Sequence, residues 1–333
     1  MRYILNDTAN IFFRARHVAS RNEDPWVKVG MSLHITLASI NAVVRAHQVD
    51  HVIFCLEGRS WRKDFYKPYK ANRVVDKTSL TEKEIEEDKL FWDAYSQFTT
   101  FLNDKTNASV LRQAQAEADD IIARFIYLHP DDEIIINSSD TDFDQLISEK
   151  VSRYNGITGE LFTINGILNN KGKPVIDKKT KLPKTVGDPA FVLFEKVMRG
   201  DSTDNVFSAY PGVRTKGSKN KVGLIEAFED RHKQGFSWNN LMLQRWTDHN
   251  GVEHKVRDDY ERNTTLIDLK AQPDNIKHLV DTSITDSLKR VAIGQVGMHL
   301  LKFCGKFELT KISEQADTYS RWLSQPYVGP LLK

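Results

Sequence analysis

The sequence predicts an α/β fold with a mostly parallel, twisted central sheet and flanking helices. Two observations predict it. Short apolar, β-rich runs recur with helix-like stretches between them: Tyr3-Ile-Leu5, His51–Leu56 and Glu133–Asn137. Strand–helix alternation of that kind builds parallel sheets. Each run also delivers carboxylates just past its end, namely Asp7, then Glu57, then Asp140 and Asp142. Open α/β sheets bind their ligands at that carboxyl edge.

The elements follow in order. Tyr3-Ile4-Leu5 reads as a buried strand ending at Asn6-Asp7. Leu33, Leu37, Ile40 and Val44 recur at spacings of four, three and four, one face of a helix. His51–Leu56 is the second strand. Residues 59–80 are basic and aromatic without a clear period. From Leu80 to about Leu102 the pattern is helical, and Glu82, Glu84, Glu86, Glu87 and Asp88 suit its positive N-terminal end. Glu117–Tyr127 is a further helix and Glu133–Asn137 a third strand. Val151–Tyr154 and Glu160–Thr163 form a hairpin. A lysine-rich loop follows, then a helix over Ala190–Met198, a Gly/Lys-rich loop, and a helix from Val222 to Phe228. The rest is helical and polar, and core packing is the expected role of the last 50 residues.

The chain has 333 residues, about two domains' worth. With 40% hydrophobic and 28% charged residues it is neither disordered, collagen-like nor a coiled coil. No uncharged apolar run reaches the roughly 18 residues of a membrane span, so no membrane partner is expected. Asp7 comes too early for a secretory leader. Cys55 and Cys304 cannot build a disulfide scaffold or a cysteine zinc site. The expected location is a reducing cytoplasm.

A net charge of +2 hides a pattern. Seven basic residues lie between Arg59 and Lys77, six lysines between Lys171 and Lys184, and four basic residues between Arg214 and Lys221. Acids gather elsewhere: Asp7, Glu57, Glu117-Ala-Asp119-Asp120, Asp140-Thr-Asp142-Phe-Asp144 and Asp201-Ser-Thr-Asp204. A single Asp after a strand is often a helix cap. Three acids within four or five residues exceed what a cap needs. Oxygen-only clusters suit Mg²⁺ or Mn²⁺, which keep part of their water shell. Seven or eight carboxylates are enough for two ions about 3.5–4 Å apart, the arrangement used in phosphodiester hydrolysis. The basic runs would then hold a polyanion backbone on either side of the acids.

These residues, in this order, resemble the structure-specific 5′ nucleases, the flap endonucleases and 5′–3′ exonucleases, and most closely the bacteriophage members, including phage RNase H. The matching segments are Leu5-Asn6-Asp7-Thr8, Leu56-Glu57-Gly58, Trp61-Arg62-Lys63 with Tyr69-Lys70-Ala71-Asn72-Arg73, Glu117–Asp120, Ser139–Leu146, and Gly200–Asn205 with the Pro211–Gly223 loop. A fainter likeness extends to Glu261–Leu269. The resemblance implies a PIN-like α/β nuclease domain over 1–188 with a basic helical arch at about 59–102. It implies a helical C-terminal region over 189–333 with a helix–three-turn–helix at about 190–230.

It further implies roles. Asp7, Glu57, Glu117 and Asp119 would serve one ion, and Asp140, Asp142, Asp201 and Asp204 a second. Lys70 would reach the scissile phosphate, Tyr69 would stack on a base near the cut, and Arg73 with Lys77 would continue the basic path. Arg62, Lys63, Arg214, Lys216, Lys219 and Lys221 would contact DNA. The implied cofactors are two Mg²⁺ ions, replaceable by Mn²⁺, and a K⁺ in the three-turn loop. The implied activity is metal-dependent 5′–3′ exonuclease, flap endonuclease and RNase H-type hydrolysis of DNA and RNA–DNA hybrids, by a monomer removing primers in phage replication within the host cytoplasm. A single-strand-binding protein or sliding clamp is a partner by analogy. Two other readings stay open: a PIN-type ribonuclease and an inert structure-specific DNA-binding relative.

The sequence departs from the pattern at three places. Glu57 stands where Asp is usual, residues 169–186 are longer than in compact members and read as an inserted loop, and the three-turn loop carries extra residues over Arg214–Asn220.

Overall fold

The computed structural model of the protein describes residues 1–19, 24–73, 81–219, 221–288 and 290–329. It divides into two compact units. Unit 1 takes Met1–Ser60, Leu80–Val186 and Asp274–Lys333; unit 2 takes Trp61–Ser79 and Gly187–Pro273.

Unit 1 is built on a seven-stranded sheet of order β3-β2-β1-β4-β5-β6-β7. Its strands are β1 (Arg2–Asp7), β2 (His51–Leu56), β3 (Ser109–Arg112), β4 (Glu133–Asn137), β5 (Val151–Asn155), β6 (Glu160–Thr163) and β7 (Gly166–Leu168). The first five run parallel and the last two antiparallel. Tyr3, Ile4 and Leu5 are fully buried, as is most of β2, because helices cover both faces.

Those helices are α1 (Thr8–Ala19), α2 (Pro25–His47), α4 (Glu82–Lys105), α5 (Ala118–Leu128), α10 (Asp274–Leu288), α11 (Val296–Lys306) and the short α12 (Thr310–Ser313) and α13 (Ala316–Leu323). Their ends are written in the sequence. Asp24 caps α2 by accepting from the N–H groups of Trp26 and Val27, with Pro25 at the first position. Thr81 and Glu84 form a capping box on α4. α2 is long and apolar enough to cross a membrane by length and composition, and half of its most apolar window is buried in the fold. Leu33, Leu37 and Ile40, the predicted helix face, lie in the core.

The two units depart from the expected division at residue 188 in two respects: Trp61–Ser79 belongs to unit 2, and a C-terminal stretch belongs to unit 1. The chain returns to unit 1 after Pro273. Val296, Leu300, Phe303, Phe307 and Trp322 complete the core formed by Leu37, Phe54, Phe98 and Phe101. Of the described residues in the last 50, Leu288, Val296, Leu300, Phe303, Trp322 and Leu323 are buried. The C-terminal half of α4 is core too, with Phe91, Tyr95, Phe98 and Leu102 buried. Of the expected arch, residues 74–80, with Lys77, lie outside the described residues.

Unit 2 contains α3 (Arg62–Phe65), α6 (Pro189–Arg199), α7 (Leu224–Asp230), α8 (Phe236–Met242), the hairpin β8 (Arg245–Thr247) and β9 (Glu253–Lys255), and α9 (Val256–Ile267). Phe194, Met198, Leu224, Phe228, Trp238 and Val256 form its main core. Tyr69, Val197, Val206, Leu266 and Ile267 form a second cluster.

Candidate active site

In unit 1 the strand polarity brings the predicted acids to one edge. β1 pairs with β2 and β4 in parallel, with Asp7 opposite Cys55 and Asn6 opposite Asn137. The strand ends are braced by buried amides. Asn137 Nδ2 donates to Asn6 Oδ1 at 2.9 Å, and Asn6 Nδ2 donates to the Ile53 carbonyl at 3.0 Å.

Each acid has a defined seat. Asp7 is buried and accepts from the Ser138 hydroxyl at 2.9 Å. Glu57 follows β2 and accepts the N–H of Ala118, the first residue of α5, at 3.1 Å. Glu117 is the N-cap of α5 and accepts from the Ser60 hydroxyl at 2.6 Å. Asp119 stands in the first turn of α5, at the positive end of the helix dipole. Asp140 accepts the N–H of Asp142 at 2.9 Å after β4. Glu57, Asp7 and Asp119 act on one neighbourhood. The fully buried Cys55 thiol is pushed well up by burial and then by those three carboxylates.

Two acids of the same clusters have structural duties. Asp120 is fully buried and accepts the Glu117 N–H at 3.1 Å, closing a capping box. Asp144 pairs with Arg153 at 2.6 Å, a guanidinium only 1% exposed. Neither was assigned to a metal from the resemblance.

Unit 2 holds Asp201 and Asp204, two of the four acids expected at the second ion. Asp204 accepts from the Tyr69 hydroxyl at 2.9 Å and from Arg73 at 2.8 Å, and Lys70 Nζ stands 3.5 Å away. Two further bonds tie the same segments: the Lys70 N–H donates to the Asp204 carbonyl at 2.8 Å, and the Asn205 side-chain Nδ2 donates to the Pro68 carbonyl at 2.7 Å. Asp201 pairs with Lys196 at 2.9 Å and accepts the Thr203 N–H at 2.8 Å. Burial raises the Asp201 carboxyl, and the bond and charge of Lys196 with the N–H donors outweigh it, leaving the pKa below the usual value. Gly200 permits this turn: its φ is 75°, and a Cβ there would stand 2.4 Å from the Val206 carbonyl.

Two predicted residues are corrected here. Tyr69 is 5% exposed and packs with Val197, Val206, Leu266 and Ile267, so its face is core rather than a platform for a base. Arg62 is 1% exposed; its Nε donates to the Leu266 carbonyl at 2.8 Å, and its guanidinium lies over the Trp61 ring. It is therefore not placed to contact DNA. Their basic surroundings concealed both. Lys63 and Arg73 are exposed.

The helix–three-turn–helix forms between α6 and α7. Arg214, Lys216, Lys219 and Lys221 are all exposed on its loop. The loop is tight: Leu224 and Ile225 donate to the carbonyls of Arg214 and Thr215 at 3.0 and 2.9 Å, and the Glu226 carboxylate accepts from the N–H groups of Gly217 and Gly223 at 3.0 and 2.9 Å.

Sequence reasoning missed Arg14 and Tyr95. Arg14 Nη1, on α1, is buried with no hydrogen-bond partner among the described residues. Burial lowers the pKa of this guanidinium, with Tyr154 and Asp7 opposing. The Tyr95 hydroxyl is also buried without a partner among the described residues. Its ionisation is opposed by burial and then by Glu57 and Asp7. Arg14 lies seven residues after Asp7, two turns along the helix that follows it, a spacing that could have drawn attention.

Among the described residues no three His, Cys, Asp or Glu side chains form a group able to hold a metal ion as they stand. The donor chemistry nonetheless fits a hard divalent cation. It is all carboxylate and hydroxyl oxygen, drawn from separate segments at one edge, with no His or Cys ligand set competing.

The N-terminal resolvase-like domain of 5′–3′ exonucleases matches residues 2–173, just over half of the chain. The chain belongs to the 5′–3′ exonuclease family. Among curated relatives of this chain, DNA polymerase I of Rhizobium leguminosarum is 29% identical over 181 residues, covering 54% of this chain and 15% of the polymerase. A 5′–3′ exonuclease of Mycoplasmopsis pulmonis (strain UAB CTIP) is 29% identical over 179 residues, covering 54% of this chain and 52% of that protein. The chain thus spans about half the length, or less, of these relatives. Two solved structures share the fold at 19% identity. The T5 5′-exonuclease bound to zinc has a TM-score of 0.59 and covers 87% of this chain and 99% of its own. A bacteriophage T5 flap endonuclease complex with DNA and metal ions has a TM-score of 0.56 and covers 95% and 100%.

Proposed function

We propose that this family member is a divalent-metal-dependent 5′–3′ exonuclease and flap endonuclease. One observation carries the reading: Asp7, Glu57, Glu117, Asp119, Asp140 and Asp142, from four separate segments, are seated at the carboxyl edge of one parallel sheet. The T5 proteins of the same fold, bound to metal ions and in one case to DNA, support it.

In this proposal Asp7, Glu57, Glu117 and Asp119 hold one Mg²⁺, Asp140 and Asp142 serve a second, and in unit 2 Asp201 and Asp204 serve as metal ligands. When bound, two such ions orient the attacking and leaving oxygens and offset charge on the phosphate. Mg²⁺ keeps several waters, so carboxylates need not close on it directly. Mn²⁺ substitutes, and the three-turn loop takes a K⁺.

The chain's own residues do the rest. Lys70 brings positive charge to the scissile phosphate. Arg73 and Lys63 continue the basic path, and Lys77 extends it. Arg214, Lys216, Lys219 and Lys221 hold duplex backbone without reading sequence. Tyr69 positions Asp204 and Lys70 from the core. The substrates are 5′ flaps, nicks and RNA primers on DNA, in phage replication.

Substrate comparison tests this reading. With Mg²⁺, cutting of 5′-flap DNA and of a 5′ RNA segment on DNA is expected, close to the junction. Cutting confined to unstructured RNA would overturn it in favour of a PIN-type ribonuclease.

A further inference from the structure

Residues 169–186, expected to be an irregular loop, extend the sheet of unit 1. Leu168 bridges Pro174, and Ile176 bridges Pro183, both antiparallel. Val175 donates to the Ile167 carbonyl and Lys184 to the Val175 carbonyl, each at 2.8 Å. The segment is therefore an arm of two further extended stretches joined by tight turns, the second folding back on β7, where the Ile167 N–H donates to the Lys184 carbonyl at 3.1 Å.

Strand direction places those turns at opposite edges. β5 runs parallel to β4, β6 antiparallel to β5, and β7 antiparallel to β6. The C-terminal end of β7 thus lies at the same edge as that of β4, where the acids gather. The turn of residues 169–173 follows directly, at that acid edge. The turn of residues 177–182 falls at the other edge.

The two turns differ in charge. Residues 169–173 carry Lys171 and Lys173, both exposed, and no acid. Asn169 shapes the turn: its Oδ1 accepts the N–H groups of Lys171 and Lys173 at 2.9 and 3.1 Å, and Gly172 has a φ of 69°. The opposite turn has Lys178, Lys179 and Lys181, with Asp177 accepting from the N–H groups of Lys179 and Thr180.

The distance suits a nucleic acid. From β4 to β7 is three strand steps and from β1 to β7 four, in the observed strand order. At about 4.8 Å per step that is roughly 14–19 Å. A duplex rising ~3.4 Å per base pair covers it in about four to six base pairs.

We propose that the Lys171–Lys173 turn binds the phosphate backbone of the substrate a few base pairs from the acids, while the Lys178–Lys181 turn does not. The inference rests on the nuclease reading above and adds a contact surface to it. The contact is sequence-independent, because two ammonium groups on a turn meet phosphate charge and no base edge.

Binding of a 5′-flap duplex, measured against salt with Ca²⁺ in place of Mg²⁺, tests it. Each lost phosphate contact flattens the plot of log affinity against log salt by about 0.9. Lys171→Gln with Lys173→Gln is expected to flatten it by about 1.8, and Asn169→Ala to flatten it partly with every charge retained. Lys178→Gln, Lys179→Gln and Lys181→Gln together are expected to leave the slope near that of the unaltered protein. Thermal melts check that all variants fold. An unchanged slope in the Lys171/Lys173 variant, or equal flattening by both lysine sets, overturns the proposal while the nuclease reading stands. If the unaltered protein neither binds nor cuts the duplex, the nuclease reading falls, and this inference with it.

Discussion

The Tyr69 hydroxyl donates a 2.9 Å hydrogen bond to the Asp204 carboxylate, while its ring is buried among Val197, Val206, Leu266 and Ile267. Tyr69 is thus a core residue that holds an acid. Tyr69→Ala is expected to cost about 3–5 kcal/mol of stability, as for other large core aromatics. Tyr69→Phe is expected to cost about 1 kcal/mol. Denaturant unfolding of both variants checks this. A fully stable Tyr69→Ala would return the ring to the surface role.

The Asp140-Thr-Asp142-Phe-Asp144 cluster divides by duty. Asp144 neutralises the buried Arg153. Asp144→Asn is expected to destabilise by about 3–5 kcal/mol, because it leaves a buried guanidinium uncompensated. Asp140→Asn and Asp142→Asn are expected to abolish cutting with much smaller losses of stability. Melting temperature and cleavage rate, measured on all three, separate the two roles.

Arg14 presents the reverse balance. Its Nη1 is buried without a hydrogen-bond partner among the described residues, and its charge is felt by Asp7. Removing a desolvated, incompletely satisfied cation relieves a cost. Arg14→Met is expected to melt no lower than the unaltered protein yet cut about tenfold more slowly or worse, since a positive charge acting on Asp7 is gone. A drop in melting temperature with unchanged cutting would make Arg14 purely structural.

Glu57 accepts the Ala118 N–H across one methylene more than Asp would offer. Glu57→Asp is expected to lose that N–H bond, at about 1 kcal/mol, and to retain substantial cutting. A well-folded but inactive Glu57→Asp would contradict the tolerance assigned to this ligand position.

His51 sets a pH dependence of stability. Burial, together with the Arg290 charge, outweighs its bond to the Gln325 carbonyl and lowers its pKa to about 4 from 6.5. The unfolded chain therefore takes up a proton at a higher pH than the folded one. Stability is full above pH 6.5 and falls as pH drops towards 4, by an amount on the order of 3 kcal/mol from this residue. His34, His47 and His129, with pKa values also lowered chiefly by burial, add to the same trend. Urea midpoints from pH 7 to 4 should fall, and the fall should be smaller in His51→Gln.

Much of this was legible in the sequence because local signals agreed. β1, β2 and β4 are continuous apolar runs closed by carboxylates, and α2 and α5 carry helical spacing with acidic caps. β3 was missed: four residues, Ser109–Arg112, are too few to show a period. α1 was missed because it begins directly after Asp7 with no intervening turn. The return of α10–α13 to unit 1 depends on contacts between residues more than 150 positions apart, such as Trp322 with Asn41, which no local pattern encodes. The acid clusters stood out by density alone, and the resemblance picked out which of their acids are proposed to hold metal. That Asp120 and Asp144 serve structure needed the coordinates, since side by side in sequence all the acids look alike.

The central claim is that acids at the carboxyl edge make this chain a metal-dependent nuclease. A 5′-labelled flap duplex incubated with Mg²⁺, with EDTA, and with Asp119→Asn tests it most directly. Cutting within about a nucleotide of the junction that needs Mg²⁺ and vanishes in Asp119→Asn is the predicted result, by loss of an ion ligand. Binding without cutting in Mg²⁺ or Mn²⁺, or cutting that survives EDTA and the substitution, would contradict it.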